Sequence, residues 1–240
     1  MPGANPLFPS YPDNGLPLVI VNFKTYEAAT GARAVRLAEI CERVSRKHEI
    51  VIMISPQYTD IYRICRESSI SIPVFAQHID DKIGQYTGSV SPIAVKEAGA
   101  SGTLLNHSEK RIPIQQVGDR IAAARSNGLL TLCFADSMVE SRKIAAFGPD
   151  MLAYEPPELV GTGISVSSVR PGEITEFVRG ISPKVKRLVG AGITSGGDAA
   201  KSVELGADGF GVSSAVTKSK DPEKTLVELV EASIRQTKMR

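Results

Sequence analysis

LVIVNFKTY, Leu18–Tyr26, begins with four aliphatic residues and meets no polar side chain before Asn22. A strand wetted on one face alternates apolar with polar residues. One that is apolar throughout is buried on both faces, which requires a parallel sheet covered by helices. The run ends in NFKTY. An open, doubly wound sheet would carry a glycine-rich G-x-G-x-x-G turn at that point; its absence favours a closed ring of strands, with the open sheet as the alternative.

The same kind of short run recurs down the chain: IVIMIS (50–55), PVFAQ (73–77), SGTLLNH (101–107), LLTLCFA (129–135), MLAYE (151–155), KRLVGA (186–191) and GFGVS (209–213). Amphipathic stretches separate them, from AATGARAVRLAEICERVSRK (28–47) to PEKTLVELVEASIRQTK (222–238), with apolar positions at helical spacing. Gly99, Gly128, Gly148 and Gly206 stand just before a strand, where a helix stops through a tight turn. Eight strand–helix alternations in 240 residues predict an α/β chain closed into a (β/α)8 barrel.

Composition narrows the function classes. The chain is 42% hydrophobic with a net charge of +2, enough for one large core and too short for two comfortable domains. Basic residues are dispersed and tryptophan is absent, so no nucleic-acid surface is expected and any anionic partner should be small. Three scattered cysteines, Cys41, Cys65 and Cys133, read as reduced thiols rather than a disulfide framework or zinc site. No apolar run approaches the ~20 residues of a membrane span, and the opening MPGANPLFPSYPDNGLP lacks the basic and apolar regions of a secretory signal. Residues 1–17, with five prolines, are expected to form a mobile extension outside the fold, and residues 18–240 a single barrel domain.

In such a barrel, reacting groups sit at the C-terminal ends of the strands. Asn22 and Lys24 end the first strand two residues apart, so both side chains share a face, with Val21 and Phe23 on the other. Together they suit an anion clamp; Lys24 alone reads equally as a solvated strand end. His107 follows the fourth strand, ahead of Ser108-Glu109, which could open a helical turn. A ring above a helix N-terminus stays neutral and donates a hydrogen bond to a substrate oxygen. His78 reads as structural and His48 as an ordinary surface residue.

Glu155 ends the sixth strand in AYEPPELVGTG (153–163). Pro156 and Pro157 stiffen the chain beside the carboxylate, while Gly161 and Gly163 free the far end to pivot. That is the pattern of an apolar lid, against the alternative of an exposed glutamate beside an ordinary turn. Small residues after the last two strands, among them Gly192, Ser213 and Ser214, let a phosphate oxygen approach the main chain, or else only permit tight packing.

Taken in order, Asn22-x-Lys24, His107-Ser108-Glu109, Ala153-Tyr154-Glu155-Pro156 and Gly161-Thr162-Gly163 make the chain from Leu18 to the last helix resemble the triosephosphate isomerase family. PPELVGTG, GTLLNHSEKR and GAGI are most similar to its archaeal branch. The resemblance implies a TIM barrel interconverting dihydroxyacetone phosphate and D-glyceraldehyde 3-phosphate through an enediolate, in glycolysis and gluconeogenesis, with no metal or organic cofactor. It implies Glu155 as the base, His107 as the neutral electrophile, Lys24 and Asn22 as charge-stabilising and positioning groups, and Val160, Gly161, Gly192, Ser213 and Ser214 as main-chain phosphate contacts. Glu109 is either a proton relay or an orienting partner. The family also implies a cytoplasmic protein, self-associated as a homotetramer ahead of a homodimer, its partner a small phosphorylated triose.

Two departures stand out. Glu158 places a charge in the lid that the bacterial and eukaryotic form lacks, and ISVSSVRPGEI (164–174) suggests a reduced helix after it. Two other readings remain beside this one. A Schiff-base aldolase, one of the other phosphate-binding barrels, would need a desolvated lysine on a middle strand, and none ends strands three to seven convincingly. A binding barrel that has lost turnover would have disrupted acid or electrophile positions, whereas Glu155 and His107 are both present.

Overall fold

The computed structural model describes residues 3–239; residues 1, 2 and 240, the outermost positions of the expected extension and barrel, lie outside the described residues. Eight strands form: β1 (Leu18–Asn22), β2 (Ile52–Ser55), β3 (Phe75–Ala76), β4 (Gly102–Leu105), β5 (Leu130–Ala135), β6 (Met151–Tyr154), β7 (Lys186–Val189) and β8 (Gly209–Val212). The helices between and after them are α1 (Ala32–His48), α2 (Tyr58–Glu67), α3 (Pro92–Glu97), α4 (Ile114–Ser126), α5 (Met138–Ala146), α6 (Val166–Val169), α7 (Pro171–Gly180), α8 (Gly196–Glu204), α9 (Ser214–Thr217) and α10 (Pro222–Lys238).

All strand pairs are parallel, in the order β2-β1-β8-β7-β6-β5-β4-β3. In β1, Val19 pairs with Ile52 on one side and Phe210 on the other. The ring closes between β2 and β3 through a single parallel bridge, Ile54 to Val74, beside a bond from the Ile54 N–H to the Pro73 carbonyl at 3.0 Å. The first turn after β1 carries no phosphate-binding glycines, and the closed barrel rather than the open sheet is what forms.

The period of two along each strand sorts the core into two shells. Leu18, Ile20, Met53, Leu104, Leu132, Phe134, Met151 and Leu188 fill the interior of the ring. Val19, Val21, Phe23, Ile52, Ile54, Leu152 and Val189 point outward and pack under the helices. Cys41 and Cys133 are buried and Cys65 half-buried, all three as free thiols; burial pushes the Cys41 thiol up to about 12. His48 differs from its surface reading, since it is half-buried and its Nε2 is sealed from solvent without a hydrogen-bond partner.

The segment before Leu18, expected outside the fold, packs against it. Asn5 Oδ1 accepts from the N–H groups of Leu7 and Phe8, the Asn5 N–H reaches the Tyr11 carbonyl, and Ala4 pairs with Pro12, so residues 3–13 fold back on themselves. This turn presents Phe8, 5% exposed, to the inner shell beside Leu18, Val51 and Met53. Tyr11 bonds Ser45 on α1 at 3.2 Å, and Asn14 donates to the carbonyl of Glu49 at 2.8 Å. Burying a phenyl ring contributes roughly 1.5–3 kcal/mol, which explains why a proline-rich run lacking any periodicity is nonetheless held at the barrel floor.

Candidate active site

At the opposite mouth, the side chains that continue the inward-facing rows are polar. Asn22 follows Leu18 and Ile20 on the inner row of β1, and its Oδ1 accepts from the N–H of Lys24 at 2.9 Å. That bond holds Lys24 at a φ of 46°, a left-handed conformation that a lysine adopts only when the surroundings impose it. Its ammonium, largely shielded, lies 2.8 Å from Glu109 Oε1. Ser213, just past β8, donates its hydroxyl to the Asn22 carbonyl at 2.7 Å and so ties the ends of β1 and β8 together.

Asn106 takes φ 59° after β4, a conformation asparagine tolerates better than most residues, and so turns the chain to place His107 over the mouth. Ser108–Lys110 form one turn, closed by Lys110 N–H to the His107 carbonyl at 2.8 Å, and α4 begins only at Ile114. The expected helix N-terminus beneath the ring is therefore a single turn, whose Glu109 N–H donates to His107 Nδ1 at 3.2 Å. An accepting Nδ1 carries no proton, which assigns the ring hydrogen to Nε2 on the side facing the cavity. Phe134 packs its ring against the imidazole at 4.8 Å and fixes its plane.

Glu155 continues the inner row of β6 after Met151 and Ala153 and is 8% exposed. Its Oε2 accepts from the Ser108 hydroxyl at 3.1 Å and stands 3.4 Å from His107 Nε2. Gly190, immediately after β7, makes room for it, because a Cβ there would lie 2.8 Å from Glu155 Oε1. In the sequence Ser108 opens a turn and Gly190 is one residue of the GAGI run, and neither points to a contact with Glu155. A serine beside a histidine and a glycine near a strand end carry no signal of partners on other strands.

The segment after Glu155 arches over the same space. Pro157–Leu159 form a short 3-10 turn, with Leu159 buried, and Gly161 and Gly163 both adopt φ of 76°. The suspected reduced helix is resolved as the four-residue α6 and the ten-residue α7, joined at Arg170. On the other side of the mouth, Gly192 has φ 69°, and a Cβ there would meet the Ile164 carbonyl oxygen at 1.8 Å, so lid and β7 loop touch main chain to main chain. The N-terminus of α8 is occupied by its own capping box, Ser195 with Asp198, leaving Ala191–Thr194 to face the cavity.

Asn22, Lys24, His107, Glu155, Val160, Gly161, Gly192, Ser213 and Ser214 all line one cavity of about 70 Å³. Glu109 lines an adjoining cavity of about 380 Å³, shared with Asn22, Lys24 and His107. Among the described residues no group of three or more His, Cys, Asp and Glu side chains is arranged to hold a metal ion. His78 is 2% exposed with Nε2 3.4 Å from Asp80 Oδ1, in a network with Arg120 away from the cavity, in keeping with a structural role. The barrel mouth thus joins a shielded ammonium, an imidazole N–H, a buried carboxylate and a glycine-rich main chain, a set suited to moving a proton on a small carbonyl compound that carries an anionic group.

A family model described as triosephosphate isomerase matches residues 17–233. The chain belongs to the triosephosphate isomerase family. Relatives bearing that name include those of Methanobacterium bryantii, 44% identical over 89% of this chain and 96% of the relative, and Methanothermus fervidus, 41% identical over 89% and 97%. The triosephosphate isomerase of Saccharolobus solfataricus is 39% identical over 91% and 97%. A crystal structure of the triosephosphate isomerase of Bartonella henselae superposes with a TM-score of 0.68 over 93% of this chain and 99% of that one; at 19% identity it shows the shared barrel. The chain is accordingly an isomerase of this family, on the (β/α)8 fold its strands required.

Proposed function

We propose that this mouth interconverts dihydroxyacetone phosphate and D-glyceraldehyde 3-phosphate with Glu155 as the base and His107 as the electrophile. The observation that carries the reading is their placement: a carboxylate oxygen and the protonated imidazole nitrogen 3.4 Å apart on one cavity wall, beneath a hinged loop. Glu155 takes a proton from the carbon next to the carbonyl, and the C–H electrons form the C=C bond of an enediolate. The carbonyl electrons move to oxygen, where the His107 N–H and the Lys24 ammonium stabilise the charge. The hydroxyl proton on the first carbon passes by way of His107 Nε2 to this oxygen, and returning the carbon-bound proton to the neighbouring carbon, as the electrons left on the first oxygen form the new carbonyl, completes the isomerisation. Lid closure excludes water, which strengthens each of these interactions.

Main-chain groups at Val160, Gly161, Gly192, Ser213 and Ser214 hold the phosphate, and Asn22 positions Lys24 through the bond to its N–H. Glu109 acts as an orienting partner rather than a relay, since its side chain pairs with Lys24 while only its backbone N–H reaches His107 at hydrogen-bonding distance. We place the protein in the cytoplasm as a homotetramer, with a homodimer second. Support for self-association comes from the loop after β3, which Arg120 anchors at Ile79 and Asp80 while Ile83 and Tyr86 stand 62% and 51% exposed.

Glyceraldehyde 3-phosphate formation coupled to hydride transfer by a second enzyme tests the assignment. Glu155→Asp, which withdraws the carboxylate by one methylene, should lower kcat about 100-fold or more at unchanged stability. Wild-type turnover with an undiminished aspartate variant would remove Glu155 from the role of base.

A further inference from the structure

The lid's charged residue, though exposed, is paired. Glu158 Oε1 lies 2.7 Å from the guanidinium of Arg170, at the junction of α6 and α7. The same guanidinium approaches Glu173 Oε2 at 3.7 Å, and that oxygen accepts the hydroxyl of Tyr154 at 2.7 Å. Tyr154 is buried, stacks on Phe177 at 5.6 Å between ring centres, and immediately precedes Glu155. Arg170 therefore bridges a carboxylate on the loop over the cavity and a carboxylate that accepts from a buried phenol on the strand that bears the base. A backbone hydrogen bond of its own and the contact with Arg170 hold the Glu158 carboxyl below the usual range.

From this chain of contacts we infer that Arg170 is a positioning residue, which biases the lid toward the conformation lying over the cavity by anchoring Glu158. The pair is made while Val160, Gly161 and Gly163 line the cavity with Glu155, so it stabilises that arrangement selectively and shifts the population toward it. Without Arg170, two carboxylates of like charge, Glu158 and Glu173, face the same region uncompensated. The inference rests on the isomerase reading above, because its effect is felt through substrate capture under the lid.

Steady-state kinetics on triose phosphate, read as KM against kcat, test it. Arg170→Ala should raise KM about two- to fivefold, the range an exposed ion pair supplies, with kcat within about twofold of wild type. Glu158→Gln should match it, and the double variant should be no worse than either single one. The exchanged pair Glu158→Arg with Arg170→Glu should recover part of the loss, and molar salt should raise the wild-type KM more than that of Arg170→Ala. A wild-type KM in Arg170→Ala, or additive losses in the double variant, overturns the inference. Failure of the wild type to turn over would instead sink the isomerase reading, so the two failures are distinguishable.

Discussion

Gly190 is the residue on which the carboxylate's position turns. Glu155 reaches the cavity along the inner row of β6, and what keeps its side chain there is the missing methyl group on the neighbouring strand end, 2.8 Å from Oε1 had it been present. Gly190→Ala should displace the carboxylate by a fraction of an ångström and lower kcat about tenfold to 100-fold, with a melting temperature near that of wild type; full activity in the coupled assay would show that Glu155 accommodates the methyl. Asn22, Lys24, His107 and Glu155 were legible because each stands at a strand end, where one-dimensional order maps directly onto the barrel rim. Gly190, Ser108 and Arg170 were not, since each matters through a partner far along the chain or by the absence of a side chain.

Among the elements, α1 is tied to the approach to β3 by one carboxylate. Glu42 on α1 accepts from the N–H groups of Ser71 and Ile72, both at 2.9 Å, from the Ser71 hydroxyl at 2.8 Å, and from Arg46. Burial alone would raise its pKa; these hydrogen bonds outweigh burial and hold it below the ordinary 4.5. The unfolded chain therefore binds the proton first as pH falls. The stabilisation is fully present above 4.5 and is lost as pH drops through the lower, folded value. Urea midpoints between pH ~3 and ~7 should thus fall less steeply with acid in Glu42→Gln than in wild type, and near neutrality the variant should be destabilised by about 1–3 kcal/mol. Equal slopes would deny Glu42 this part. The helix itself was readable from its apolar period, whereas this tie was hidden because a buried acidic residue looks in sequence like any solvent-facing one.

At the scale of the whole molecule, the two barrel ends are finished differently: chemistry at one, a folded N-terminal segment at the other. The family match begins at residue 17, so Phe8 lies outside it, yet its ring belongs to the same inner shell as Met53 and Leu188. Phe8→Ala should cost about 3–5 kcal/mol in chemical denaturation and leave kcat and KM at room temperature unchanged; an unaltered midpoint would return the segment to the status of a bystander. Alternating apolar runs made the ring of strands legible, but Phe8 stands among prolines with no period to announce it. The closing junction carries a consequence of its own. Seven neighbouring pairs share ladders, whereas β2 and β3 meet at the lone bridge between Ile54 and Val74, so the ring has a seam. In deuterated water, protection at the Ile54 amide should be the first to fail, marking where the cylinder unzips before the rest of the wall melts.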